Sequence, residues 1–248
     1  MNKKGVFMQN KAFTLAEVLI TLAVIGIVAA MTLPNLVKNY QKKITVTKLQ
    51  KAYSVLSQMV LKSFADNGAA SDYMTSGETI SASEMQKFFQ TYWLPYFNSP
   101  RVADNGKTFY DTSRPYTDLN GDEHDFSIYT HYSNGRILFQ TSDGIIYLID
   151  CISWVKEYDD EGNLIKQTAT YNTVTTIHVD VNGTKLPNIM GKDVFYFKID
   201  FDNNKVYPYG ESGTYSNITS NCSTKSTGYM CAAKIMRDGW QIKDDYPW

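Results

Sequence analysis

"KAFTLAEVLITLAVIGIVAAMTLPNLV", residues 11–37, decides how the rest of the chain is read. From Val18 to Val37 there are 20 consecutive residues without a charge. A helix of that length rises about 30 Å, the thickness of a bilayer's hydrocarbon core. Yet a carboxylate, Glu17, stands inside the start of the run. An acid at the centre of a spanning helix costs about 2.5–3.5 kcal/mol on insertion scales. The cost falls toward the helix end, but an intramembrane acid still needs a partner. A secretory signal peptide would follow its basic start (here Lys3, Lys4 and Lys11) with an apolar core of only about 7–15 residues and a small-residue cleavage site. This run is longer, with an acid inside it. A plain anchor accounts for the length and leaves Glu17 unexplained.

The remaining composition is that of a globular protein. The 248 residues are 43% hydrophobic and 20% charged, with a formal net charge of −1. That is enough length for one sizeable core or two small ones. Neither strong basicity nor strong acidity is present, so no nucleic-acid partner is expected. From Lys38 on the chain is polar, aromatic-rich and rich in turn residues, which reads as a soluble domain after a single span. Two of the three cysteines, Cys222 and Cys231, lie nine positions apart in "NCSTKSTGYMC", a loop suited to a small disulfide ring, with free thiols as the alternative. A bridge there persists only outside a reducing cytoplasm. Cys151, in "YLIDCISW", reads as a buried apolar thiol. Three cysteines without ligand-spaced histidines argue against zinc, and no metal or cofactor is expected. The basic residues do not choose an orientation, since Lys3, Lys4 and Lys11 before the span are balanced by Lys38, Lys42 and Lys43 after it.

The opening stretch resembles the N-terminus of type IV prepilins and type II secretion pseudopilins. In that family a prepilin peptidase removes a short basic leader just before a Phe that begins F-T-L-x-E, and the new terminus is N-methylated. The resemblance implies a cut between Ala12 and Phe13, with Ala12 standing where the family usually has Gly. It makes residues 1–12 the leader, 13–37 the membrane and assembly half of a long helix, and 38–248 an extracytoplasmic α+β domain. The family's glutamate falls on Glu17, and Gly26 and Pro34 fall where pilins commonly carry helix-loosening residues. Near a helix start the macrodipole favours a negative charge. The partner implied for Glu17 is the freed amine of Phe13 on an adjacent subunit, which turns a costly acid into a registry device. Leu15, Val18, Leu19, Leu22, Val24, Ile25 and Ile27 offer apolar packing surface, and Ala23, Gly26, Ala29 and Ala30 allow close approach.

The helix is expected to continue. Leu49, Ala52, Tyr53, Leu56, Val60 and Phe64 recur at helical spacing, and "ADNGA" (65–69) supplies a stop. Pro34 should kink or loosen the run. "SASEMQKFFQTYWLPYF" (81–97) reads as a second helix, with Ser81 and Glu84 as a capping box and Pro95 at its end. From about 107 onward come short β-prone runs: "RILFQ", "GIIYLID", "VKEY", "LIKQTATY", "TVTTIHVDV", "DVFYFKIDF" and "KVYPYG". Turns at "SNGR", "SDG", "DEGN" and "VNG" argue antiparallel hairpins. "GYMCAAKIMRDGW" reads as a last short helix. The expected fold is therefore α+β and pilin-like, a long N-terminal helix packed on an antiparallel sheet. "DVNGTKLPNIMGKDVFYFKID" followed by "KVYPYG" resembles a D-x-N-G…P-N…G-x-D-x-F…P-Y-G pattern of lineage-specific prepilin-like proteins, and turn–strand–turn–strand accounts for it.

Catalytic signals are weak. "DFDNNKVYPYGE" (200–211) places Asp200, Asp202, Asn204 and Glu211 as in a calcium loop but has Lys205 where Gly is needed. "DLNGDEHD" (118–125) gathers Asp118, Asn120, Asp122 and Asp125 and reads first as a solvated turn. His124, His131 and His178 are scattered, and no nucleophile, zinc or phosphate motif is present. Tyrosines alternating along strands read as sheet packing before they read as a sugar or nucleobase surface. The expectation is a non-enzymatic pilin or pseudopilin subunit. Its partners would be itself and other pilin-like subunits, the prepilin peptidase and an inner-membrane assembly platform. It would begin as a single-pass inner-membrane protein with its C-terminal domain extracytoplasmic and end in a pilus or pseudopilus. The alternative is a membrane-anchored surface domain, an adhesin or a hydrolase.

Overall fold

The computed structural model describes residues 13–69, 73, 82–103, 109, 115–124, 136–159, 161, 164–200 and 202–248. Helix α1 runs unbroken over Leu15–Asn67, 53 residues. It ends where the turn residues predict, at Gly68, whose φ of 84° suits a residue without Cβ and whose N–H closes onto the Phe64 carbonyl at 3.0 Å. Pro34 lies inside the helix and does not end it. It lacks an N–H, so it removes one bond from the ladder, while the nearby Thr32 hydroxyl donates to the Val28 carbonyl at 2.9 Å.

The chain divides into two compact units, 1–42 and 43–248. The described part of the first is helix and its apolar side chains are uncovered: its most apolar 18-residue window has a mean hydropathy of 2.3 with none of it buried. In water such a surface is unfavourable by about 25 cal/mol per Å² of apolar area, whereas in lipid it is at home.

The second unit has its own core. The later part of α1 buries Val46, Leu49, Ala52, Leu56, Met59, Val60 and Ser63. Phe64, expected on that stripe, is instead 43% exposed. The seam passes through Ser63, whose hydroxyl lies 3.2 Å from that of Tyr73. The sheet is antiparallel, in the order β1 (Arg101–Val102), β4 (Arg136–Gln140), β5 (Ile146–Tyr158), β6 (Leu164–Asp180), β7 (Val194–Asp200) and β8 (Lys205–Pro208). A separate small hairpin joins β2 (Tyr116–Thr117) to β3 (Glu123–His124). One sheet face, with Phe139, Tyr147, Ile177, Phe195 and Phe197, shares a cluster with Leu49, Leu56 and Met59 of α1. The other, with Leu138, Ile146, Leu148 and Val194, is covered by Ala103, Phe109, Tyr116 and Met190. Burial on both faces explains why "RILFQ" and "GIIYLI" show no alternation.

Several expected boundaries are corrected. Residues 81–97 do not form one α-helix: α2 covers Ala82–Phe88, a π turn Phe89–Trp93 follows, and Pro95 sits inside a 3-10 turn, Leu94–Tyr96. Phe89 and Trp93, both fully buried with ring centroids 5.0 Å apart, hold the widened turn against the core. Ser81 of the expected capping box, the "SNGR" turn apart from Arg136, Asp125 and His131 lie outside the described residues. "VKEY" is the end of β5, and "LIKQTATY" and "TVTTIHVDV" fuse into β6, with a register shift in the β5–β6 pairing between Asp150 and Ile152. Helix α3, Tyr215–Asn221, was not expected from sequence; its N-cap is Thr214, whose Oγ1 accepts the Asn217 N–H at 3.2 Å. Helix α4, Cys231–Arg237, lies where the last helix was expected.

Candidate functional site

The residues singled out by the opening stretch sit at the start of α1. Phe13 is 84% exposed, ahead of the first helical turn. The Thr14 N–H and Thr14 hydroxyl both donate to Glu17 Oε2, each at 2.9 Å, and the Glu17 N–H donates back to Thr14 Oγ1 at 3.2 Å. This is a reciprocal capping box, T-x-x-E, which satisfies helix-start donors that lipid cannot satisfy. It was legible as a four-residue signal, and reading Glu17 through the helix dipole and an intersubunit partner missed it. Oε1 accepts no bond within the described chain and is the free hand of the carboxylate. Leu15, Leu19, Leu22 and Ile25 are all more than half exposed along the same helix, and a Cβ added at Gly26 would meet nothing within 4 Å. Chemically, this arrangement can accept a cation at a helix start and bury an apolar surface against another helix. Ala12 lies outside the described residues.

A disulfide joins Cys222 to Cys231, with Cα atoms 4.8 Å apart, and clips the end of α3 to the start of α4. Beside it, Lys234 is buried with its ammonium 2.7 Å from Asp245, 3.0 Å from Asp238 and 3.1 Å from the Tyr215 hydroxyl. Burial by itself would lower the lysine's pKa, but these partners outweigh it and hold the ammonium charged. Lys243 also reaches Asp238, at 3.0 Å. The cluster ties the C-terminal segment to α4, with Asp245 and Lys243 at its exposed edge. Cys151 lies on β5, but its side chain is outside the description.

The D-x-N-G…P-N…G-x-D pattern closes on itself. Asp180 Oδ1 accepts the N–H groups of Asn182 (3.0 Å) and Gly183 (2.8 Å), and its Oδ2 accepts the Tyr116 hydroxyl at 2.6 Å. Asp193 accepts the N–H of Asn188 and of Ile189 and the Asn182 carboxamide, at 2.7, 2.6 and 2.9 Å. Both carboxylates are buried. Burial pushes Asp193 up to about 6, and burial together with the charge of Asp193 pushes Asp180 well above the carboxylate range. A raised folded-state pKa means the native state holds protons that the unfolded chain has released. This contribution is therefore lost as pH rises through about 6. The Asp180–Asp193 pair thus makes the domain less stable near pH 7.5 than near pH 5. Thermal unfolding of the parent and of Asp193→Asn across that range checks this: the parent's extra loss of stability with rising pH should flatten in the variant, and parallel profiles would refute it.

The two loops tested for calcium are occupied by internal bonds. Lys205 holds Glu211 at 2.9 Å, and Asn203 donates to Asp200 through its backbone (3.0 Å) and its side chain (2.8 Å). Asn120 donates to Asp122 at 2.7 Å across the β2–β3 turn. No group of three or more His, Cys, Asp or Glu side chains converges among the described residues. His178 is buried and stacks on Tyr196 at 4.5 Å between centroids.

Comparison with known proteins gives two matches. The model of a family of unknown function (DUF6613) matches residues 35–248, and that of the prokaryotic N-terminal methylation motif matches residues 7–33. No curated protein and no solved structure matches. The methylation motif marks the N-terminus as that of a type IV prepilin- or pseudopilin-type precursor.

Proposed function

We propose, since the chain belongs to the family of unknown function DUF6613 and opens on a prokaryotic N-terminal methylation motif, that it is a structural subunit of a type IV pilus or secretion pseudopilus. In this reading residues 1–12 are removed after Ala12, Phe13 is methylated, and residues 13–37 hold the subunit in the inner membrane until it joins a filament. The observation that carries the reading is an uncovered apolar helix whose one early acid, Glu17, is capped by Thr14 yet keeps an oxygen free. The ammonium of Phe13 on a neighbouring copy fits that oxygen, and pairing inside an apolar bundle fixes axial register. The Cys222–Cys231 bridge supports an extracytoplasmic position for the domain. The peptidase, other pilin-like subunits and an inner-membrane platform are the partners this role requires, and it needs no chemistry from the chain itself.

Mass spectrometry of protein isolated from its native cells tests the reading directly. The expected N-terminal peptide begins with N-methyl-Phe13. An intact Met1, or a cut beyond residue 30, would instead favour a surface domain on a plain anchor.

A further inference from the structure

We propose that the groove beside the β7–β8 hairpin binds a saccharide carrying an anionic substituent, a carboxylate or a sulfate. The groove holds about 670 Å³, within the range of small-ligand sites, and lies wholly within residues 198–230. The proposal therefore stands or falls separately from the filament reading. Lys198 and Tyr207 face each other across the β7–β8 register, Tyr209 adjoins them, and Asn217 of α3 stands on the opposite wall.

The charges in the groove are unequal in what they leave available. Glu211 is engaged by Lys205, and both oxygens of Asp200 are engaged by Asn203. Lys198 is different: its ammonium lies 5.2 Å from the centroid of the Tyr209 ring and forms no ion pair or hydrogen bond with any described residue. A cation held over a ring is placed without being neutralised; Asn203 is neutral and leaves the Asp200 charge in place, so the groove's formal charges balance and Lys198 is the cation among them that is left without a hydrogen-bonded partner and can turn to a ligand. The Asn217 carboxamide likewise has no partner among the described residues and offers both a donor and an acceptor, the pair that vicinal hydroxyls need. Tyr207, with the Lys205 ammonium 5.7 Å from its ring centroid, adds aromatic surface of a kind that suits the polarised C–H groups of a pyranose. One unpaired cation beside a carboxamide and a tyrosine, in a groove that also holds the Asp200 carboxylate, suits a singly charged sugar better than a phosphoryl group, which draws several donors at once.

Calorimetric titration of the full-length chain in detergent micelles, with 3′-sialyllactose, a sulfated lactose and plain lactose as probes, tests this. Both anionic sugars should bind at least about tenfold more tightly than lactose, and the preference should shrink with added salt. Lys198→Met should remove about tenfold or more of the anionic-sugar affinity at an unchanged melting temperature. Asn217→Ala should weaken all sugars together. Equal binding of lactose, an undiminished affinity in Lys198→Met, or no binding of any of the three would overturn the proposal.

Discussion

Glu17→Ala protein is expected to partition into the membrane as the parent does, yet to be missing from filaments sheared off the cell. Removing the carboxylate lowers the cost of inserting α1, because an acid in a spanning helix is unfavourable by up to about 3 kcal/mol. Insertion therefore does not depend on it. What the proposed pairing would lose is the contact with a neighbour's amine. Leaving one partner of a desolvated ion pair unmatched costs about 3–5 kcal/mol, or roughly two to three and a half powers of ten in association. Immunoblots of sheared and membrane fractions should show the variant reduced by at least about a hundredfold in the first and unchanged in the second. Thr14→Val is the informative control, because Thr14 supplies the hydroxyl cap and not the charge. It should assemble better than Glu17→Ala. Normal incorporation of Glu17→Ala would remove the pairing argument altogether.

The second large effect concerns Lys234. Lys234→Ala leaves Asp238, buried beside it, with Lys243 as its only ammonium, and deprives Asp245 and Tyr215 of theirs. Breaking a buried pair by deleting one member typically destabilises by about 3–5 kcal/mol. For a domain of this size that is a fall of roughly 10 °C in melting temperature. Differential scanning calorimetry of the full chain reads it. Lys234→Met together with Asp238→Asn should recover part of the loss, since it removes the orphaned charge while keeping most of the lysine's volume. A fall of about 2 °C or less in the single variant would mean that solvent reaches the cluster and screens it.

What the sequence made legible followed from the range of the interactions. The long helix, its stop at Gly68 and the apolar first half rest on neighbours within a turn or two, and all were readable from spacing. The exposed Phe64 was not, because which residue leads the stripe depends on what docks beyond Ser63. The D-x-N-G…G-x-D pattern was visible as a pattern, but its clasp is completed by Tyr116, 64 positions from Asp180. Helix α3 was invisible because "YSNITSN" is poor in helix formers and buries only Ile218, so its cap and the disulfide supply what propensity does not. Lys234 and Asp238 are spaced i, i+4, which ordinarily signals a solvated surface pair; their burial depends on the segment that follows.

Strand β8 is short, begins at Lys205 and ends at Pro208. Each of these blunts a sheet margin, by brevity, by charge and by a missing donor. A fibre of the kind proposed would crowd its subunits shoulder to shoulder at concentrations where an open margin would recruit strangers. This margin is a poor template, so in such a fibre contacts between copies would fall to helices and loops, and order would be protected from slipping into the cross-strand stacking that ends in aggregation.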